Sequence, residues 1–148
     1  MWQNIPRVKY FIGLSILISS LFSCGYFMSG TWQDDNENWN RVYHYDLPDS
    51  VEIIHSFYWR SAHWTLEQEY FFQLKYDEEI INSFLSKGGM KLHEDNIEPL
   101  LRYFNDKPSW FAPLDNDRYD IFIEEGLGNF KLFVDKDKNY IFWSDYQI

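Results

Sequence analysis

Hydrophobic and polar residues alternate over two long stretches near the middle of the chain. Val51, Ile53, His55, Phe57 and Trp59 share one face of the first. In the second, Trp64, Leu66, Gln68, Tyr70, Phe72, Leu74 and Tyr76 share a face, with Thr65, Glu67, Glu69, Gln73 and Lys75 opposite. A period of two sustained this long predicts paired β-strands. With Arg60 to His63 as the hairpin loop, Trp59 is expected opposite Trp64, Phe57 opposite Leu66, Ile53 opposite Tyr70, and His55 opposite Gln68. Shorter strands are expected at Arg41 to Asp46, Tyr119 to Glu124, Phe130 to Val134 and Tyr140 to Tyr146.

Between the two groups of strands the period changes. Asp77 is a good N-cap, Glu78 and Glu79 suit the positive end of a helix dipole, and Ile80, Ile81, Phe84 and Leu85 form a stripe that Gly88-Gly89 ends. A second helix is expected from about Ile97 to Phe104, capped by Asn96 with Pro99 in its first turn. Lys107 to Pro113 is expected to be an extended loop with two rings between prolines. The sum is an α+β domain, an antiparallel sheet of about five strands with one or two helices packed on one face. Its expected extent is residues 41–148, preceded by a tether over 24–40, although Trp32 and Trp39 have the alternatives of docking onto the domain or resting in the lipid interface.

The first residues have a different logic. Arg7 and Lys9 precede an apolar run from Tyr10 to Phe22, and Ser19, Ser20 and Ser23 approach Cys24, which is the pattern of an export signal over residues 1–23. The sequence Leu21-Phe22-Ser23-Cys24 resembles the lipobox of bacterial lipoproteins, with Leu three positions before Cys and a small residue just before it. Phe22 departs from the small residue commoner at the middle position. The resemblance implies a diacylglyceryl thioether on Cys24, cleavage before it, and attachment to the cell envelope. Gly25, rather than Asp, then points to the outer membrane, with the domain facing the periplasm. An uncleaved anchor over about Tyr10 to Met28 is the alternative, since that span approaches the roughly 20 residues needed to cross a bilayer.

Composition narrows the partners. Loss of Arg7 and Lys9 with the signal takes the formal charge from −10 to −12, because two cations and no acid are removed. Such a surface repels nucleic acid. Cys24 is the only cysteine, so no disulfide is expected. Aromatic residues make up 21% of the chain, more than a core this small encloses, so some rings are expected to serve binding.

Several groups of residues carry possible chemistry. His55 and Gln68 are the polar pair on an apolar face, either a buried hydrogen-bonded pair or the floor of an aromatic pocket. Trp110 and Phe111, in Pro-Ser-Trp-Phe, either plug the core or form an exposed anchor for a partner. Glu67 and Glu69 lie about 7 Å apart on one strand face, a separation used by inverting glycosidases, but like charges on a solvated face explain them as well. Asp135-Lys136-Asp137-Lys138-Asn139 opens like a calcium loop, yet Tyr140 stands where glycine is required and Tyr146 where glutamate is required, which makes it a charged hairpin turn. The four histidines show no metal-ligand spacing, and no motif implies a cofactor.

The Pro-Ser-Trp-Phe, Phe-Lys-Leu-Phe-Val-Asp and Ser-Asp-Tyr-Gln segments look like those of small uncharacterised bacterial proteins, a likeness that implies no activity. The expectation is a non-enzymatic, membrane-anchored lipoprotein that binds a protein or small molecule in the envelope. An immunity-type inhibitor of an exported toxin is a narrower version. An enzyme acting on envelope glycans is the rival.

Overall fold

The computed structural model describes residues 29–62, 67–86, 89–94, 107–113, 117–124, 126 and 129–147. The expected signal peptide, Cys24 and the helix expected over 97–104 lie outside them. Among the described residues there are seven strands: β1 (Gly30–Gln33), β2 (Ile53–Arg60), β3 (Gln68–Lys75), β4 (Met90–His93), β5 (Tyr119–Glu124), β6 (Lys131–Asp135) and β7 (Tyr140–Gln147). Two short helices accompany them, α1 (Asn38–Tyr43) and α2 (Glu78–Ser86).

All seven strands form one antiparallel sheet in the order β1-β2-β3-β7-β6-β5-β4. Two meanders, β1-β2-β3 and β4-β5-β6-β7, are therefore joined along β3 and β7. That seam runs from Gln68 opposite Gln147 to Lys75 opposite Tyr140. The protein is mainly β, which corrects the expected five-stranded α+β domain. The two additional strands, β1 and β4, have four residues each, too few for alternation to announce them.

The hairpin register also differs from expectation. Trp59 lies opposite Glu69, Phe57 opposite Phe71 and Tyr58 opposite Tyr70, so β3 is displaced by five residues from the expected alignment. The strands meet where Ser61 N–H donates to Glu67 O at 2.9 Å. An odd displacement reverses which side chains share a face. Tyr58, Tyr70, Phe72, Leu74, Leu132, Ile141 and Trp143 form one apolar layer, while Phe71, Phe133, Phe142, Tyr119 and Ile121 form the other. A β-bulge between Ile53 and His55 adjusts the start of β2.

Each layer has its own cover. α2 is capped as expected, with Asp77 Oδ1 accepting from Ile80 N–H at 2.9 Å, and it buries Ile80, Ile81 and Phe84 on the first layer. Gly89 takes a left-handed φ of 80° after the helix, a conformation that favours glycine. Rings dominate this layer, with Trp143 5.2 Å from Phe72 and 5.1 Å from Phe84. The second layer is closed by Phe111, which lies edge-on 4.9 Å from Phe71 and 5.7 Å from Phe133.

Residues 30–43 belong to this core. Gly30 and Thr31 pair with Arg60 and Trp59, which extends the sheet into the expected tether. Trp32 folds back over Gly30 so closely that a Cβ there would stand 2.7 Å from its ring, which explains a residue without a side chain. Arg41 to Asp46, expected as an edge strand, instead holds the last turn of α1, Arg41 to Tyr43, and the residues that leave it after the His44 cap; Asn38 and Trp39 of the same helix are buried. The Asn38 amide donates to Trp32 O at 3.1 Å and to Ser56 Oγ at 3.0 Å, and its Oδ1 accepts from Arg41 at 2.7 Å. Every hydrogen-bonding atom of this buried amide thus has a partner or a second contact, as burial requires. The docking alternative for Trp32 and Trp39 describes them correctly.

Candidate functional site

Three groups of polar side chains sit on the sheet around β2. The first is at the start of that strand. A turn after β1 gives Asp34 a left-handed φ of 48° and lets its backbone N–H donate to Ser56 O at 2.7 Å. The Asp34 carboxylate is fixed by accepting from Ser56 N–H at 3.0 Å, and the same oxygen lies 3.2 Å from His55 Nδ1. The His55 ring stacks on Trp110, with centroids 5.3 Å apart and planes 21° apart. Both members of the Asp34–His55 pair are well exposed, at 46% and 39%, so water screens their attraction.

The second group crosses the three central strands. Gln68 lies opposite Arg60 and His55 opposite Gln73, so the expected His55–Gln68 pair does not form. Gln68 instead accepts from Tyr58 OH at 3.0 Å and donates to Gln147 Oε1 at 2.7 Å, a clamp across β2, β3 and β7. Beside it Tyr70 OH donates to Asp145 Oδ2 at 3.0 Å. Burial pushes the Asp145 carboxyl above its ordinary pKa, against hydrogen bonds from Tyr70, Gln147 and the Tyr146 backbone that favour the anion. Burial also raises the Tyr70 and Tyr43 phenols well above theirs, so both stay neutral.

The third group lines a pocket of about 370 Å³ at the opposite end of β1 and β2. Its wall includes Thr31 and Trp59, which are cross-strand partners, together with Arg60, Ser61 and Glu67. Ser61 is 6% exposed, and its buried Oγ has no hydrogen-bond partner among the described residues. The side chain of the half-buried Arg60 makes no ion pair or hydrogen bond among them either, whereas Arg41 is bridged to Asp35 and Arg118 to Asp135.

The sequence-derived candidates are therefore dispersed. Phe111 is wholly buried and Trp110 half-buried, which divides the two rings between a core plug and a cover for His55. Glu67 and Glu69 do not share a solvated face, because Glu69 is 1% exposed; the solvated-face explanation is corrected by the second apolar layer beneath it. Asp135 is fully buried, and its carboxylate accepts from Asp137 N–H at 3.0 Å and Asn139 at 3.3 Å while facing Arg118, the bonding of a hairpin turn. Arg60 and Ser61 were missed because Arg-Ser-Ala between two strands carries no signal other than loop. Asp34 stood within a polar cluster in the expected tether. The chain matches no protein-family model, no curated protein and no solved structure.

Proposed function

We propose that the protein is a non-enzymatic binding module of a bacterial cell envelope, held to the membrane through acyl chains on Cys24. The observation that carries this reading is the run Tyr10 to Phe22 between Arg7/Lys9 and Leu21-Phe22-Ser23-Cys24. A single acyl chain anchors only weakly, so durable attachment calls for the several chains that a lipoprotein cysteine receives.

The position of β1 adds a geometric consequence. Gly30 follows Cys24 by six residues, so even a fully extended link spans no more than about 20 Å. The domain is held close to the bilayer, and the pocket, whose wall begins at Ser29, is nearest the anchor. A protein or small molecule at the membrane surface is the corresponding partner, with the outer membrane's periplasmic face as the address that Gly25 favours. The acidic charge disfavours nucleic acid.

Mass spectrometry of the full-length product purified from membranes tests the anchor. The expected species begins at an acylated Cys24, and Cys24→Ser moves the protein out of the membrane fraction. An intact Met1, or a free Cys24 thiol, overturns the proposal.

A further inference from the structure

We infer that the domain stands on end at the membrane, with the Gly30 end of its sheet against the lipid headgroups and its acidic turns pointing away from them. This deepens the reading of an envelope module and rests on the acyl anchor at Cys24. Three observations converge. The first is a shared end. Gly30 pairs with Arg60, Arg60 with Gln68 and Gln68 with Gln147, so the entry to β1 and the termini of three neighbouring strands form one row. The chain coming from the anchor meets the sheet at this row.

The second observation is reach. Six residues separate Cys24 from Gly30, a link of no more than about 20 Å. β2 and β3 have eight residues each, which makes them about 26 Å long. With the far end of the sheet on the bilayer, Gly30 would stand higher than its link allows. The inverted pose is therefore excluded, and the domain either stands upright or lies on one of its two layers.

The third observation, the distribution of charge, decides between these. At the Gly30 end the described strand termini and turns hold two acids, Glu67 and Glu124, and two cations, Arg60 and Lys131. The opposite end is acidic. The turn after β1 carries Asp34 and Asp35, the start of α2 carries Asp77, Glu78 and Glu79, and the β6–β7 turn adds Asp135 and Asp137. Anionic headgroups repel carboxylates over a screening length of about 10 Å at 0.1 M salt. An upright domain holds the acidic turns about 26 Å away, well outside that range, whereas a domain lying on either layer brings them down to the headgroups. The Asp34–His55–Trp110 group is then displayed away from the membrane, and the hollow beside Arg60 is turned toward it.

The test uses full-length protein purified from membranes, in which acylated Cys24 offers no thiol, so that an introduced cysteine takes a fluorophore alone. Ala62→Cys and Gln147→Cys report the Gly30 end, Glu78→Cys the acidic end, and Ser109→Cys the loop over the second layer; all four positions are exposed. Each labelled variant, its fold checked by near-ultraviolet circular dichroism, is reconstituted into vesicles of phosphatidylethanolamine and phosphatidylglycerol that contain a headgroup-nitroxide lipid. The expected result is loss of fluorescence at residues 62 and 147, with residues 78 and 109 as bright as in vesicles without nitroxide. Two reporters at the Gly30 end keep the test decisive should one variant not fold. Quenching at residue 78 or 109 equal to that at 62 and 147, or no quenching at 62 and 147 in vesicle-bound protein, overturns the orientation while leaving the anchor intact. Protein that stays off the vesicles with a free Cys24 thiol marks failure of the anchor itself, and the orientation falls with it.

Discussion

Phe111 has no exposed surface and lies edge-on to Phe71, Phe133 and Phe142, so truncating it opens a cavity in the second apolar layer. Phe111→Ala should therefore lower stability by about 3–5 kcal/mol. Its neighbour Trp110 is half-buried and stacks on a partly exposed histidine, a contact worth about 1 kcal/mol. Urea unfolding of the two alanine variants should separate their midpoints in that order, and equal losses would show that Trp110 is as much part of the core. Rings in a loop between prolines were conspicuous in the sequence, but their division of labour depends on which face of the sheet the loop crosses. That face was not visible in the local pattern. His55 was also conspicuous, whereas its partner Asp34 lies 21 residues earlier, in a polar cluster indistinguishable from a linker. Arg60 and Ser61 acquire meaning only from strand register.

Register is a property of elements, and it is where the sequence was least informative. Alternation identified β2 and β3 but presupposed one wet face. Tyr70, Phe71 and Phe72 are all buried, so β3 packs against both layers and either register would have placed apolar rings inward. By contrast the α2 cap, its stripe, β5 and the β6–β7 turn were legible because each rests on a few consecutive residues. β7 provides an electrostatic test of this two-sided burial. The Asp145 carboxyl has a raised pKa from burial, so the folded state binds its proton at higher pH than the unfolded chain does. Its contribution to stability accordingly increases as pH falls through the raised pKa toward the ordinary value of 3.8. Asp35 and Asp135 have lowered pKa values and work in the opposite sense, losing stability as pH falls through their folded pKa values. The difference between wild type and Asp145→Asn isolates Asp145. The variant should melt higher at pH 7, with the gap closing on acidification. A lower melting temperature at pH 7 would mean that the Tyr70 and Gln147 hydrogen bonds outweigh burial.

For the whole molecule, the consequential error of the pattern was the domain boundary. Residues 24–40 include the polar cluster Gln33 to Asn38 and follow an apolar run, the composition of a spacer. The sheet nevertheless begins at Gly30, and Trp39 is 1% exposed against Trp143. A linker composition failed as a guide because two tryptophans and one asparagine do the anchoring: Trp32 lies between the Arg41 guanidinium at 4.9 Å and Tyr58 at 5.6 Å, Trp39 enters the core, and Asn38 joins β1 to β2. Loss of Trp39 alone should cost about 3–5 kcal/mol, a large share of the roughly 5–15 kcal/mol that stabilises a domain. Removing residues up to 40 also strips β1 from its hydrogen bonds to β2 and uncovers Tyr58. A chain starting at Arg41 should therefore lack a cooperative thermal transition and the near-ultraviolet circular dichroism of its packed rings, whereas one starting at Cys24 should keep both. Cooperative unfolding of the shorter chain would return residues 30–40 to the status of a tether. It would also detach the pocket from the fold, since Thr31 would then be dispensable to the sheet that forms its wall.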